Sequence, residues 1–192
     1  MSRSFSAEAE VLTALPSHID LGALSEAVGR LSRASLVVTC ASGSSGYAAA
    51  KFAHSLCCVE RAAKFMPPSD AIHGGMGCIH AGDTVVMLSR GGKTAELFPI
   101  VDVVLAKNAD LIVITENAES QLAQAADLVL VMKVAQESDP LGLMASSSFL
   151  ATVAICDALI AGIIQHTGFS REQFALIHPG GAVGELLNPV GK

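Results

Sequence analysis

The chain has 192 residues, 51% of them apolar and 16% charged, with a formal net charge of −6. That length fits one domain able to bury about 70% of its unfolded surface. The low charge content argues against disorder and implies hidden surface, such as an oligomer interface. The acidic balance argues against general nucleic-acid or anionic-membrane binding. Five cysteines, an odd number without a CxxC pair, argue against a secreted disulfide framework.

The first ten residues lack the apolar core of a signal peptide, so a cytoplasmic protein is expected. Residues 1–33 form an N-terminal helical segment, expected to pack on the main domain or in an oligomer. Ser6 is placed to cap a first short helix, Pro16 to interrupt it, and Asp20 to cap a second helix running to about Leu31. Residues 34–192 make the main domain. Four short β-branched runs follow at 36–39, 84–89, 111–115 and 128–132, with a weaker one at 62–66. They are continuously apolar, as strands buried on both faces of a parallel sheet are. Helical spacing separates them; Leu97, Ile100, Val101, Val104 and Leu105 form one such stripe. The βαβ alternation predicts a doubly wound parallel sheet. Residues 140–156 carry no charge, but they fall short of the about 20 apolar residues of a membrane span. They read as a buried helix, with no membrane partner.

Doubly wound sheets bind ligands beyond the carboxyl ends of their strands. After the first run comes Ala41-Ser42-Gly43-Ser44-Ser45-Gly46, then a helix. Glycines there allow close backbone approach, and a helix start with serine hydroxyls offers donors to an anion. An ordinary Gly/Ser turn has the same composition. The run at 84–89 leads into Ser89-Arg90-Gly91-Gly92-Lys93-Thr94, which adds two cations. Two such loops together point to phosphate. A P-loop would need its first glycine at Met87, inside a strand. A dinucleotide fingerprint would need glycine at Ala41 and an acid near Met66. Neither condition is met.

His18, His54, His80 and His166 sit in helical or turn contexts and read as structural or surface residues. His54 with Cys57 and Cys58 has helical spacing but no second ligand cluster, so no metal site is expected. His73, before Gly74-Gly75, and His178, before Pro179-Gly180-Gly181, lie in turns that can present an imidazole to a pocket. Glu137 follows the last strand and is either a general base or a solvated loop acid.

Several of these segments resemble one family. Residues 37–46, 71–77, 89–96, 111–127, 132–142 and 174–187 are similar to the sugar isomerase (SIS) domain, in the branch containing arabinose 5-phosphate isomerases. The most specific matches are Lys133-Val134-Ala135 with Glu137 and Pro140-Leu141-Gly142, and Phe174-Ala175-Leu176-Ile177-His178-Pro179-Gly180-Gly181-Ala182. The resemblance implies a three-layer α-β-α sandwich around a five-stranded parallel sheet. It implies a sugar-phosphate ligand, a homodimer or homotetramer with sites near subunit boundaries, and no cofactor. It also implies aldose–ketose isomerisation through an enediol. Glu137, His73 and His178 would move the protons, which a carboxylate and two imidazoles suffice to do without a metal. Ser42, Gly43, Ser44, Ser45, Ser89, Gly91, Gly92, Lys93 and Thr94 would form the phosphate and substrate loops. The rival reading is a noncatalytic sugar-phosphate sensor; a third is a purely structural oligomer.

The sequence departs from the branch in both loops. Ala41 replaces a glycine and Ser44 a lysine in the first loop. The usual Ser-Asn-Ser-Gly-Glu-Ser/Thr becomes Ser89-Arg90-Gly91-Gly92-Lys93-Thr94, and Gly75 stands where an acid is usual. No segment resembles the paired CBS domains of longer relatives. The expectation is that charge has moved between loops, with Lys93 supplying the cation that Ser44 does not.

Overall fold

The apolar runs pair side by side into one parallel sheet of order β2-β1-β3-β4-β5. The strands are β1 (Val37–Cys40), β2 (Ala63–Phe65), β3 (Thr84–Leu88), β4 (Asp110–Thr115) and β5 (Leu128–Val131). This is a computed structural model, and it describes residues 2–188. The helices are α1 (Ser2–His18), α2 (Leu21–Arg33), α3 (Gly43–Cys57), α4 (Pro68–Ala71), α5 (Phe98–Ala106), α6 (Gln121–Ala125), α7 (Ser147–Thr167), α8 (Arg171–Ile177) and α9 (Gly181–Leu187).

Residues alternate between the two faces of the sheet. Val37, Val86, Leu88, Ile112, Ile114 and Leu130 pack in one core cluster with α1, α2, α3 and α7. Val38, Cys40, Val85, Met87, Leu111 and Val113 pack in a second with α5 and α6. The result is the expected three-layer sandwich. The strands are buried on both faces, hence their unbroken apolar runs. Burial pushes the Cys40 and Cys156 thiols up to about 12, so both serve as protonated core filler.

Four local expectations differ. α1 is a single helix: Ser6 lies inside it, its hydroxyl bonded back to Ser2 O at 3.4 Å. Pro16 falls in the last turn, where its missing N–H removes a single backbone bond. Within the predicted stripe Leu97, Ile100, Val101 and Val104 are buried, but Leu105 is exposed. The charge-free stretch 140–156 is helical only from Ser147. Among the described residues, Ser147–Thr167 is the one helix long and apolar enough to cross a membrane. Here it buries Ala151, Ile155, Cys156, Leu159 and Ile163 in the first core cluster. Asp20 caps α2 as expected, accepting from Gly22 N at 2.7 Å and Ala23 N at 3.0 Å. Val11, Leu15, Ala27, Val28 and Leu31 of α1 and α2 join the same cluster as the sheet.

The strand order reverses between β1 and β3. β1 runs on through α3 to β2 on one side, and β3 lies on the other. Such a reversal opens a crevice at the carboxyl ends of the two strands. The loops at 41–46 and 89–94 leave those ends.

Candidate functional site

Glu137 is the centre of the polar structure at these strand ends. Its side chain is 1% exposed. Oε2 accepts from Ser146 N (3.0 Å), Ser146 Oγ (3.1 Å) and Ser148 N (3.1 Å). Oε1 accepts from Ser148 Oγ (2.5 Å) and Arg90 Nη1 (2.5 Å). The carboxylate thus caps the start of α7, where unpaired N–H groups and the helix dipole favour negative charge. Burial alone would raise its pKa. The hydrogen bonds from Ser148 and Ser146 outweigh burial and hold it below the ordinary value of 4.5.

Arg90 comes from the loop after β3. Its carbonyl accepts from Thr115 Oγ1 and Glu116 N, both at 2.9 Å, which pins it to the end of β4. Its Nε donates to Glu116 Oε2 at 3.0 Å. One guanidinium therefore bridges two carboxylates. Among the described residues, neither Glu116 Oε1 nor Ser147 Oγ at the start of α7 has a hydrogen-bond partner, although both are buried.

The loop around Arg90 is fixed by small residues. Ser89 Oγ accepts from Gly92 N at 3.1 Å and shares a 2.9 Å hydrogen bond with Thr94 Oγ1. Gly92 has φ +65°, and a Cβ there would meet Ser120 Oγ at 2.0 Å, so only glycine fits. Ser44, Ser45, Ser89, Arg90, Ser148 and Thr152 line a small cavity between the starts of α3 and α7. Its volume, about 10 Å³, is room for about one water.

A second cavity of about 820 Å³ opens beside it. Ser42, Gly43, Glu96, Tyr47, Phe65 and Ile72 are among its walls. Ser42 does not cap α3; its hydroxyl donates to Glu96.

The predicted loop residues therefore divide. Ser44, Ser45 and Ser89 face the small cavity, while Ser42 and Gly43 face the large one. Thr94 acts through Ser89. Gly91 and Lys93 are exposed and line neither cavity. His73 is exposed on the turn after α4 and also lines neither. His178 ends α8, stacked on Phe174 at 3.8 Å with Nδ1 3.2 Å from Phe174 O. Among the described residues, no hydrogen bond or ion pair joins either histidine to Glu137. Helices α8 and α9 pack mainly on each other. Gln173 Nε2 ties them to the body through Glu60 Oε2 at 2.8 Å.

Sequence reading missed Arg90, Glu116, Ser146 and Ser148 as parts of this site. Arg90 carried a visible signal, a cation where the branch has asparagine. The Ser146-Ser147-Ser148 run was visible too, but its role depends on a helix start that periodicity does not place.

Comparison with known proteins bears on this geometry. Residues 30–162 match the SIS domain. The chain is 39% identical over 151 residues to arabinose 5-phosphate isomerase KdsD of Shigella flexneri, an alignment covering 79% of this chain and 46% of KdsD. It thus spans about half the length of the curated relatives it matches. A Listeria monocytogenes protein proposed to be a sugar-phosphate isomerase superposes with a TM-score of 0.90 at 35% identity, covering 93% of this chain and 94% of that one. An E. coli CFT073 protein in complex with arabinose 5-phosphate superposes at 0.83 with 28% identity, covering 93% of each.

Proposed function

The chain belongs to the SIS domain family, and on that premise we propose that it is a phosphosugar isomerase. It would interconvert an aldose phosphate and a ketose phosphate of the arabinose 5-phosphate and ribulose 5-phosphate type. The observation that carries this reading is the buried, ionised Glu137 beside a hydroxyl-lined cavity where α3 and α7 begin. Helix starts and hydroxyls suit a phosphate. The KdsD relatives and the E. coli sugar-phosphate complex support the sugar.

On this reading Ser44, Ser45 and Ser89 hold the phosphate, while Ser148 stays on Glu137. Glu137 takes the carbon-bound proton, and its bonding pair becomes the enediol double bond. The carbonyl oxygen receives a proton from an imidazole; the proton on Glu137 then goes to the former carbonyl carbon, and the neighbouring hydroxyl gives up its proton to become the new carbonyl. His73 and His178 are the candidate imidazoles. A second copy of the chain brings the missing half of the site. Leu176 and Leu186 on the α8–α9 hairpin are 78% and 70% exposed. Leu141, Leu143 and Met144 beyond Glu137 are exposed as well, and Asp139 fixes them by accepting from all three backbone N–H groups at 2.9 Å. Apolar surface of this kind marks an interaction face.

Proton NMR in D₂O with arabinose 5-phosphate and ribulose 5-phosphate tests the chemistry. Exchange of the carbon-bound proton is expected, and Glu137→Gln and His178→Ala should abolish it. One observation favours a second reading, a noncatalytic sensor: Glu137 already accepts five hydrogen bonds. Saturable binding of either sugar without exchange would establish that reading.

A further inference from the structure

A general base needs a free lone pair, and Glu137 has none to spare. Of its five donors, four come from Ser146 and Ser148 at the start of α7. The fifth, Arg90 Nη1, is on a side chain 43% exposed. It is the donor with room to leave. Arg90 is also the one cation lining the hydroxyl cavity. Its Nη2 has no hydrogen-bond partner among the described residues.

The charges around it are unbalanced. Arg90 faces two carboxylates, Glu116 and Glu137. Asp139 lies two residues on, and Glu8 of α1 reaches the same loop by accepting from Ser138 Oγ at 2.8 Å. An incoming phosphate therefore meets an acidic cluster and a cavity of about 10 Å³. It can enter only if something moves and a cation turns toward it. A phosphate dianion offers three acceptor oxygens in the geometry a guanidinium fork grips best.

Resting on the phosphosugar reading above, we propose that Arg90 is a ligand-responsive latch: it holds Glu137 Oε1, and it transfers to the phosphate of an incoming ligand, leaving a lone pair of Oε1 free to accept a proton. Binding the phosphate group and arming the base become one event. The cation enters from the loop after β3 and is stored on Glu137 between binding events.

A double-mutant cycle on binding of inorganic phosphate, read by calorimetry, tests the latch without any assumption about turnover. Arg90→Gln should weaken phosphate binding at least about tenfold, as loss of a charged hydrogen bond does. Glu137→Gln, which removes the competitor for Arg90, should tighten it about fivefold or more, and in the Arg90→Gln background that gain should fall below about twofold. Additive effects would overturn the latch. Should Arg90→Gln fail to fold, the wild-type protein decides alone. Its Arg90 Nε–Hε resonance must move on saturation with phosphate, and an unmoved resonance overturns the proposal. Failure of the broader reading looks different. Coupling in the cycle without proton exchange on any sugar phosphate leaves the latch standing in a sensor. Exchange with an additive cycle leaves an isomerase without a latch. No affinity for inorganic phosphate or arabinose 5-phosphate removes both.

Discussion

The Glu137 cluster and the α8–α9 hairpin are built on opposite terms. Around Glu137 both carboxylate oxygens are saturated, and the side chain is all but sealed. The hairpin packs mainly on itself and leaves Leu176 and Leu186 outside. Polar satisfaction inside one region and apolar exposure in the other divide the labour. The strand ends hold charge in place with the chain's own groups, whereas the hairpin carries His178 on a surface suited to being covered. The first region should therefore respond to mutation as a folding unit, the second as a contact surface.

The sharpest way to break this contrast is Glu137→Ala. It leaves the buried Ser148 donors at the start of α7 without their acceptor, at a cost of about 1–3 kcal/mol for an unsatisfied buried group, while the half-exposed Arg90 keeps Glu116. Urea unfolding at pH 7 should show that loss. The pH dependence follows from the depressed pKa of Glu137. The folded form binds a proton less readily than the unfolded chain, so the stabilisation is complete above the unfolded value near 4.5 and disappears as pH falls through the folded one. The wild-type advantage over Glu137→Gln should therefore shrink in acid below about pH 4.5. An unchanged gap at low pH would mean that packing, not charge, fixes this residue.

Two adjacent glycines sharpen the same point at a smaller scale. At Gly92 a Cβ would collide with Ser120, and φ is +65°. At Gly91 a Cβ would meet nothing within 4 Å. Gly92→Ala should cost about 2 kcal/mol, from backbone strain and overpacking together. Gly91→Ala should stay within about 0.5 kcal/mol. Equal costs would show that the 89–94 loop does not sit against Ser120 as described.

Much of this was legible in the sequence. Unbroken runs such as Thr84–Leu88 announce strands covered on both faces, and the strand-to-helix alternation fixes the layers. The loops at 41–46 and 89–94 could be placed at strand ends because Gly and Ser punctuate them. The partners of Glu137 were not legible. Its donors come from Arg90, far back in the chain, and from Ser146 and Ser148, where the apolar stretch 140–156 hides the true start of α7. Hydropathy does not mark where backbone N–H groups become free. Nor does it separate the buried Val104 of α5 from its neighbour Leu105, which joins the predicted stripe yet faces outward. The residues of the hairpin, read as part of one site with Glu137, sit on a separate pair of helices.

Leu176→Ser and Leu186→Ser probe that hairpin. Both side chains are mostly exposed, so the unfolding free energy of the protomer should change by no more than about 0.5 kcal/mol. Sedimentation velocity over a concentration series should instead show weakened self-association. Unchanged association with reduced protomer stability would reverse the contrast and make the hairpin part of the folding unit.

Only a weak effect on phosphate binding is expected at Lys93, although the loop sequence gives it the most prominent place. An exposed ammonium outside the lining of both cavities acts on a bound phosphate through solvent and salt, and such interactions are worth about 0–1 kcal/mol. Lys93→Ala should therefore weaken phosphate binding by no more than about fivefold, and less at high salt, since 1.4 kcal/mol corresponds to a factor of about ten. Arg90, already hydrogen-bonded to Glu137 at the cavity wall, should matter more. A tenfold or larger loss at Lys93 would require the loop to turn over at the exposed Gly91 when phosphate binds, bringing Lys93 inward. The cation would then be recruited from solvent rather than stored on the carboxylate. The two substitutions measured side by side, at low and high salt, decide which of the loop's two cations the fold has placed for use.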